Sequence, residues 1–160
     1  DIGASTGGFT QVCLEKGAKL VYSIDVGTDQ LHEKLKNDKR VFDISSTDIR
    51  AIRNLNIPTP DLLVVDLSFI SLTVALPKVM FRVPAKTKMI CLIKPQFEAG
   101  KEEASKGAGV ISDPAIHKRV IDEIKSFVEE TGESTWRNNI QSPITGTKGN
   151  IEFLAWIEKK

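Results

Sequence analysis

The sequence predicts an α/β fold, a Rossmann-like doubly wound and mostly parallel sheet with an antiparallel closing strand. Extended and helical patterns alternate along the chain, which is typical of a parallel sheet covered by helices. Residues 20–24, 62–65 and 89–93 form short, largely apolar runs, as strands buried on both faces do. A charged residue follows each run. We therefore expect these strand ends to meet at one edge of the sheet, where open parallel sheets bind ligands.

The individual elements follow in order. A helix is predicted from Phe9 to Gly17, and Ser46 or Thr47 is expected to cap another helix that Pro58 and Pro60 end. The remaining elements are predicted as strands at 20–25, 40–42, 61–66, 86–93, 134–141 and 150–158, and helices at 29–37, 71–80 and 114–131. Residues 95–112 are polar and contain several glycines, and they predict a mobile loop that closes over substrate.

The opening segment, Asp1-Ile-Gly-Ala-Ser-Thr-Gly-Gly-Phe-Thr, has the form of a turn between a strand and a helix. The apolar half of that strand would have to precede Asp1. We therefore expect residues 1–160 to form one domain of a longer gene product, with the first strand truncated.

Composition excludes several classes of protein. The net charge of +1 does not fit a small, strongly basic nucleic-acid binder. The apolar runs are shorter than the roughly twenty residues that span a bilayer, so we expect no membrane association and a cytoplasmic location. Cys13 and Cys91 lie in apolar patterns and are expected to be buried, reduced thiols. His32 and His117 are expected to be solvated, and no metal-binding pattern is present.

The glycines of the opening segment suggest a cofactor site. Gly3, Gly7 and Gly8 allow a tight turn and a close approach of a ligand to a helix N-terminus. Their spacing differs from that of dinucleotide-binding proteins. Asp1 suits a cofactor with a positive group, such as the amino group of S-adenosylmethionine. Asp25 could bind two ribose hydroxyls, which NAD and S-adenosylmethionine share, so these residues leave both cofactors open.

Asp66 and Lys94 are the strongest candidates for catalysis. Each follows an apolar run, where an unpaired charge is costly, so we expect the two to face one another across adjacent strands. A lysine in such surroundings can exchange protons. The alternative is a plain ion pair that joins two strand ends. Glu152 begins an otherwise apolar strand face and should have a cation or a hydrogen-bond donor beside it.

With these residues placed, the whole chain resembles the hemolysin A-type (TlyA) family of S-adenosylmethionine-dependent ribosomal RNA methyltransferases, relatives of the FtsJ-type 2′-O-methyltransferases. The resemblance is carried by the opening segment and by five further motifs in the same order: Asp25-Val-Gly-Thr-Asp-Gln-Leu, Asp66-Leu-Ser-Phe-Ile-Ser-Leu, Lys94-Pro-Gln-Phe-Glu-Ala-Gly, Lys106-Gly-Ala-Gly-Val-Ile-Ser-Asp-Pro and Ser142-Pro-Ile-Thr-Gly-Thr-Lys-Gly-Asn-Ile-Glu-Phe-Leu.

The resemblance implies an enzyme that methylates the ribose 2′-hydroxyl of ribosomal RNA, with ribosomal RNA or a ribosomal subunit as its partner. It also implies an S4-like RNA-binding domain and a further catalytic lysine upstream of Asp1. Asp66, Lys94 and Glu152 match the other catalytic positions, with Lys94 as the base. The implied cofactor-binding residues are Asp1, Gly3, Ala4, Ser5, Gly7, Asp25, Val26, Asp43, Ile44, Asp66 and Leu67.

Residues 45–48 depart from the family pattern, which leaves Asp43, Ile44 and Asp48 as alternatives for the adenine contact. Two other functions compete with the methyltransferase. A Rossmann-type oxidoreductase would explain the glycines and Asp25, but not the Asp66 and Lys94 pair. A non-catalytic RNA-binding or hemolysin-like protein would need a basic or amphipathic surface, which this composition does not indicate.

Overall fold

A computed structural model describes residues 1–81 and 83–160. Within them the strands are β1 (Val21–Ile24), β2 (Val41–Ile44), β3 (Leu62–Val65), β4 (Lys88–Ile93), β5 (Ser134–Gln141) and β6 (Phe153–Lys159). The helices are α1 (Gly8–Glu15), α2 (Glu33–Lys36), α3 (Leu72–Met80), α4 (Pro95–Glu98), α5 (Lys101–Lys106) and α6 (Pro114–Glu130), with 3₁₀ turns at Ile49–Asn54 and Thr147–Gly149.

The strands form one mixed sheet, as the sequence predicts. β1 pairs with β2, and β3 with β4, both in parallel. β6 lies antiparallel between β4 and β5, which gives the order β3-β4-β6-β5. Ile2 bridges Ile24 and Val65 in parallel and so joins the two parts of the sheet. The predicted α/β class with an antiparallel closing strand is confirmed.

The core lies where α3 and α6 pack against β3, β4 and β6. Val65, Met89, Ile93 and Ile124 are nearly or completely inaccessible to solvent there. Ser71 and Asp113 cap α3 and α6 by accepting hydrogen bonds from backbone N–H groups of the first turn. Both helices begin where the sequence predicts, because polar caps followed by an apolar stripe are strong local signals.

A groove of about 680 Å³ lies between β1 and β3, beneath Ile2. Tyr22, Leu63 and Val79 are among the residues that line it. The sequence predicts the apolar half of a first strand before Asp1. That strand stays a prediction.

Residues 95–112 do not form the predicted loop. They contain α4 and α5, and the loop assignment is therefore wrong. α5 begins after Gly100, which has a φ of 93°, and it carries acidic residues in its first turn and Lys106 in its last. It has no buried residue, so it shows none of the apolar periodicity from which a helix can be predicted.

Two other helix predictions need correction. The predicted helix at 29–37 is reduced to α2, with His32 as its cap. The helix expected after Ser46 or Thr47 is a 3₁₀ turn that Asp48 caps.

The predictions for histidines and cysteines are partly wrong. His117 is buried, 2.8 Å from the Ile111 carbonyl oxygen and edge-on to Phe153, because α6 turns it toward the sheet. Cys91 is a free, buried thiol as expected, and burial raises its pKa to about 12. Cys13 is also a free thiol but only partly buried, and desolvation raises its pKa as well.

Candidate active site

The loops that follow Ile2, β1, β3 and β4 meet at the carboxyl edge of the sheet. Gly3 donates a backbone hydrogen bond to the carbonyl of Ile24 at 2.8 Å, and the Asp66 N–H donates to the carbonyl of Ile2 at 2.8 Å. These contacts bring the segment 3–7, Asp25 and Asp66 to one place, as the apolar runs predict.

Gly3 is the glycine on which this arrangement depends most. Its φ is +80°, and a Cβ atom at this position would lie 1.9 Å from the carbonyl oxygen of Asp66. No other residue allows the opening loop to lie so close to the end of β3. Ala4 beside it is buried, and Leu67 packs against the same turn.

Gly7 has a packing role. Its φ is +101°, and a Cβ atom there would lie 2.2 Å from Leu35 Cδ1 and 2.7 Å from Leu31 Cδ1. The glycine therefore lets the loop before α1 contact the segment around α2. A Cβ atom at Gly8 would meet nothing within 4 Å, so this glycine has no comparable requirement.

Asp25, directly after β1, organises the turn around it. Its two carboxylate oxygens accept backbone hydrogen bonds from Ser5 and from Gly27, each at 2.7 Å. A carboxylate has about four acceptor positions, so two are left for hydroxyl donors. Val26, the next residue, is 70% exposed and offers an apolar surface at the same edge.

Asp1 lies at the start of the segment 1–7 and contacts α1. Its Oδ2 accepts a hydrogen bond from Thr10 Oγ1 at 2.6 Å, and Thr10 also contacts Ser23 Oγ at 2.7 Å. This connects α1 to β1. Oδ1 of Asp1 is buried and has no hydrogen-bond partner among the described residues, so one further donor fits there.

The three alternatives for the adenine contact occupy different places. Ile44 is the last residue of β2 and lies at the edge. Asp43 precedes it, is exposed and pairs in register with Ser23, so it shares the face of the sheet that α1 covers. Asp48 caps its 3₁₀ turn and pairs with Arg50 at 2.6 Å. The roles of these residues stay predictions.

Lys94 and Asp66 face one another, as the sequence predicts. Lys94 Nζ lies 2.5 Å from Asp66 Oδ1, and the lysine and aspartate side chains are 13% and 30% exposed. The contact is an ion pair that lacks the geometry of a directed hydrogen bond. The ammonium also donates to Ser68 Oγ at 3.2 Å.

Glu152 lies at the same edge but is not paired with Lys94. The last register pair of β4 and β6 is Ile93 with Phe153, so Lys94 and Glu152 are opposite one another in the next position. Glu152 is only 6% exposed and accepts a hydrogen bond from Gln96 Nε2 at 2.9 Å. The predicted donor beside this carboxylate is therefore an amide.

Sequence reasoning missed Phe69 at the rim of the site. Its side chain is 89% exposed and its φ is +65°, a conformation rare for a bulky residue and frequent at functional sites. Phe97 of α4 packs against it with ring centroids 4.7 Å apart. No local pattern in the sequence indicates this aromatic pair, because the two phenylalanines belong to separate segments of the chain.

Glu98 was also missed. Its Oε1 accepts a hydrogen bond from the backbone N–H of Leu72 at 2.9 Å, which fixes the start of α3 and the loop before it. Burial raises the pKa of Glu98, and hydrogen bonds from Ser71 and Leu72 partly oppose that shift.

Asn150 fixes the other side of the site. It is 2% exposed, its Oδ1 accepts from Ile111 N, and its Nδ2 donates to the carbonyls of Gly109 and Thr147, each at 3.0 Å. Lys148 Nζ donates to the carbonyl of Ala108 at 3.0 Å. Both contacts tie the end of the 95–112 segment to the chain that leads into Glu152.

Within residues 1–81 and 83–160, no group of three or more histidine, cysteine or acidic residues could hold a metal ion. Across the same described ranges, no helix combines the length and the apolar character needed to cross a membrane.

Residues 1–159 match the model of the FtsJ-like methyltransferase family. The chain is 43% identical to hemolysin A of Brachyspira hyodysenteriae over 157 residues, which are 97% of this chain and 65% of that protein. It is 39% identical over 160 residues to a Mycobacterium tuberculosis protein named 16S/23S rRNA (cytidine-2′-O)-methyltransferase TlyA, covering 98% of this chain and 58% of that protein. The chain thus spans about three fifths of their length.

Solved structures give the same picture of the fold. A Streptococcus thermophilus chain described as a candidate hemolysin is 42% identical and superposes with a TM-score of 0.91, covering 100% of this chain and 58% of that one. The N-methyltransferase NodS of Bradyrhizobium japonicum, in complex with S-adenosyl-L-homocysteine, is 15% identical with a TM-score of 0.60, covering 99% of this chain and 75% of NodS. The second similarity is one of fold.

Proposed function

Because the chain belongs to the FtsJ-like methyltransferase family, we propose that it transfers a methyl group from S-adenosylmethionine to a ribose 2′-hydroxyl of ribosomal RNA. The observation that carries the proposal is the Lys94–Asp66 ion pair. It lies at the same edge of the sheet as the turn that contains Gly3 and as Asp25. The name of the Mycobacterium tuberculosis relative, a ribose methyltransferase of 16S and 23S rRNA, supports the choice of substrate.

The residues present fit this cofactor. Asp25 has two acceptor positions left for the ribose hydroxyls, and the buried Oδ1 of Asp1 can accept from the amino group. Val26 provides apolar surface for the adenine. When bound, the cofactor supplies an electrophilic methyl group on its sulfonium sulfur.

Lys94 is the proposed general base. A ribose hydroxyl is a poor nucleophile at neutral pH, so a positioned base has to take its proton as the carbon–oxygen bond forms and the carbon–sulfur bond breaks. Lys94 Nζ is the only side-chain nitrogen among the described residues in contact with Asp66. In this step the free amine of Lys94 takes the hydroxyl proton, and Asp66 stabilises the positive charge that develops on the amine.

Glu152 and Ser68 complete the surroundings of the lysine. Ser68 accepts a hydrogen bond from Lys94 and so restricts its direction. The Glu152 carboxylate adds a second negative charge opposite Lys94, which favours proton transfer to the amine in the transition state. Phe69 and Phe97 present aromatic faces on which an unpaired base can stack.

The proposal for the whole protein goes further than this domain. Since the chain spans about three fifths of its relatives, we propose that an RNA-binding domain and the upstream lysine lie outside residues 1–160. Ribosomal RNA as substrate implies that the protein works in the cytoplasm.

Binding and transfer can be tested together. S-adenosylmethionine should raise the melting temperature of the protein and NAD should not. Radiolabelled methyl groups should pass from the cofactor to unmodified ribosomal RNA. They should not pass to a nucleic acid of the same sequence that lacks 2′-hydroxyls. Stabilisation by NAD alone, or lack of transfer to every form of rRNA and ribosomal subunit, would overturn the proposal.

A further inference from the structure

The one-turn helix α4 is held against the loop that follows β3. Phe97 packs on Phe69 of that loop, and Glu98 accepts the N–H of Leu72 at its end. Because Pro95 begins α4 immediately after Lys94, the direction in which the chain leaves the lysine is restricted. The position of α4 is therefore fixed relative to the proposed base.

Gln96 extends from the same turn in the other direction, to Glu152. The two residues are 56 positions apart in the sequence, yet the amide nitrogen lies 2.9 Å from Glu152 Oε1. No other side chain among the described residues donates to this carboxylate. Gln96 thus connects the helix after Lys94 to Glu152, the third catalytic candidate, which directly precedes β6.

The position of the Glu152 carboxylate is restricted by the backbone at Gly146. A Cβ atom at Gly146 would lie 2.1 Å from Oε1 and 3.0 Å from Oε2, so the absence of a side chain there makes room for the carboxylate. Glu152 is 6% exposed. The Gln96 amide and the Gly146 backbone therefore lie against the same carboxylate group.

A buried carboxylate is stable only when donors replace the water that it loses. A cationic partner would neutralise Glu152, whereas a neutral amide supplies a hydrogen bond and leaves its negative charge available to Lys94. Oε1 of Gln96 is buried and has no partner among the described residues. The amide thus donates to Glu152 while its own oxygen has no donor, so this orientation of Gln96 is favoured by the contact with Glu152.

We infer that Gln96 is a positioning residue that holds the Glu152 carboxylate in its place opposite Lys94. This inference rests on the proposed function, because it assigns Glu152 to the methyl-transfer reaction. It adds a contact between α4, which follows the proposed base, and the acid that directly precedes β6.

Gln96→Met tests the inference, since methionine keeps the approximate volume of glutamine and removes the donor. We expect the single-turnover rate of methyl transfer at saturating cofactor and RNA to fall about 10- to 100-fold, the usual effect of one hydrogen bond to a charged group. Affinity for S-adenosylmethionine, measured by calorimetry, should change less than about twofold, because Gln96 is not among the residues proposed to bind the cofactor.

Gln11→Met is the matched control. Gln11 donates to Glu15 at 2.8 Å, the same amide-to-carboxylate contact on an exposed face of α1. Its rate should equal that of the wild type. In a Glu152→Gln background, Gln96→Met should cause no further loss of rate, since the group that it positions is then absent. A Gln96→Met variant with wild-type rate, or a full additional loss in the Glu152→Gln background, would overturn the inference.

A double-mutant cycle on unfolding separates this inference from the proposed function. Gln96→Met and Glu152→Gln should be coupled in their effect on the unfolding equilibrium constant by about tenfold. If the wild type transfers no methyl group to RNA, the proposed function fails, and the coupling alone decides whether Gln96 holds Glu152. If the wild type is active and the two positions are uncoupled in both stability and rate, the inference fails and the proposed function stands.

Discussion

The two halves of the carboxyl edge of the sheet differ in the chemical groups that they present. The half proposed for the cofactor, around β1 and β2, consists of a glycine turn, backbone N–H groups and Asp25. The half proposed for the acceptor, around β3, β4 and β6, consists of charged and aromatic side chains, with Lys94 and Glu152 mostly buried.

This difference reflects what each half has to do. A cofactor site has to hold its hydrogen-bonding groups in a fixed arrangement. A backbone turn that is hydrogen-bonded to one carboxylate achieves this. A site that transfers a proton has to hold charges in a poorly solvated place, and each such charge needs its own partner. We therefore expect substitutions in the acceptor half to change rate or stability, and those in the cofactor half to change affinity.

The largest effect is expected for Lys94. Lys94→Arg keeps the positive charge but cannot act as a base, so methyl transfer should fall about 10²–10⁴-fold while cofactor affinity stays within about 1 kcal/mol. Single-turnover methylation and calorimetry measure the two quantities. Strong activity in Lys94→Arg would mean that Lys94 and Asp66 form only a structural ion pair, in which case Lys94→Ala should lower stability by leaving Asp66 unpaired.

The second effect concerns stability on the acceptor side. Asn150→Ala should lower the free energy of unfolding by about 2–4 kcal/mol, because it leaves Ile111 N and two carbonyls without their partner. Denaturant unfolding checks this value. Asn138→Ala, at an exposed position of β5, is the control and should change it by less than about 0.5 kcal/mol. Equal losses in both variants would contradict the role of Asn150.

A smaller effect is expected for Asp25 in the cofactor half. Asp25→Ala should weaken S-adenosylmethionine binding by about 1–3 kcal/mol, since hydrogen bonds to a charged group are lost. Calorimetry measures it, with Asp122→Ala on the surface of α6 as control. Unchanged affinity in Asp25→Ala would remove this residue from the cofactor site.

The smallest effect is a pH dependence at Glu98. Burial raises its pKa in the folded protein, so the folded state binds the proton more tightly than the unfolded state. This contribution to stability is present at low pH and is lost as pH rises through the raised pKa. Glu98→Gln removes it, so the melting temperature of the variant relative to wild type should increase from pH 4 to pH 7. A constant difference would show that Glu98 does not titrate in this way.

The sequence predicts the charged residues at the strand ends better than the side-chain contacts that hold them in place. Asp25, Asp66 and Lys94 could be predicted because each ends a short apolar run, and chain order alone then places them at one edge. Gln96 and Glu98 could not, because their partners are 56 and 26 residues away and neither contact leaves a local pattern. α5 was missed for the related reason that a helix without buried residues shows no apolar period.

The central claim is that a ribose hydroxyl receives the methyl group at the Lys94 site. Mass spectrometry of nucleosides from ribosomal RNA incubated with the protein and S-adenosylmethionine carrying a deuterated methyl group tests it directly. The account predicts a labelled 2′-O-methylnucleoside, with the label on the sugar fragment, and at least about 100-fold less label after the same short incubation with Lys94→Arg. A label on a base, or equal labelling by Lys94→Arg, would contradict it.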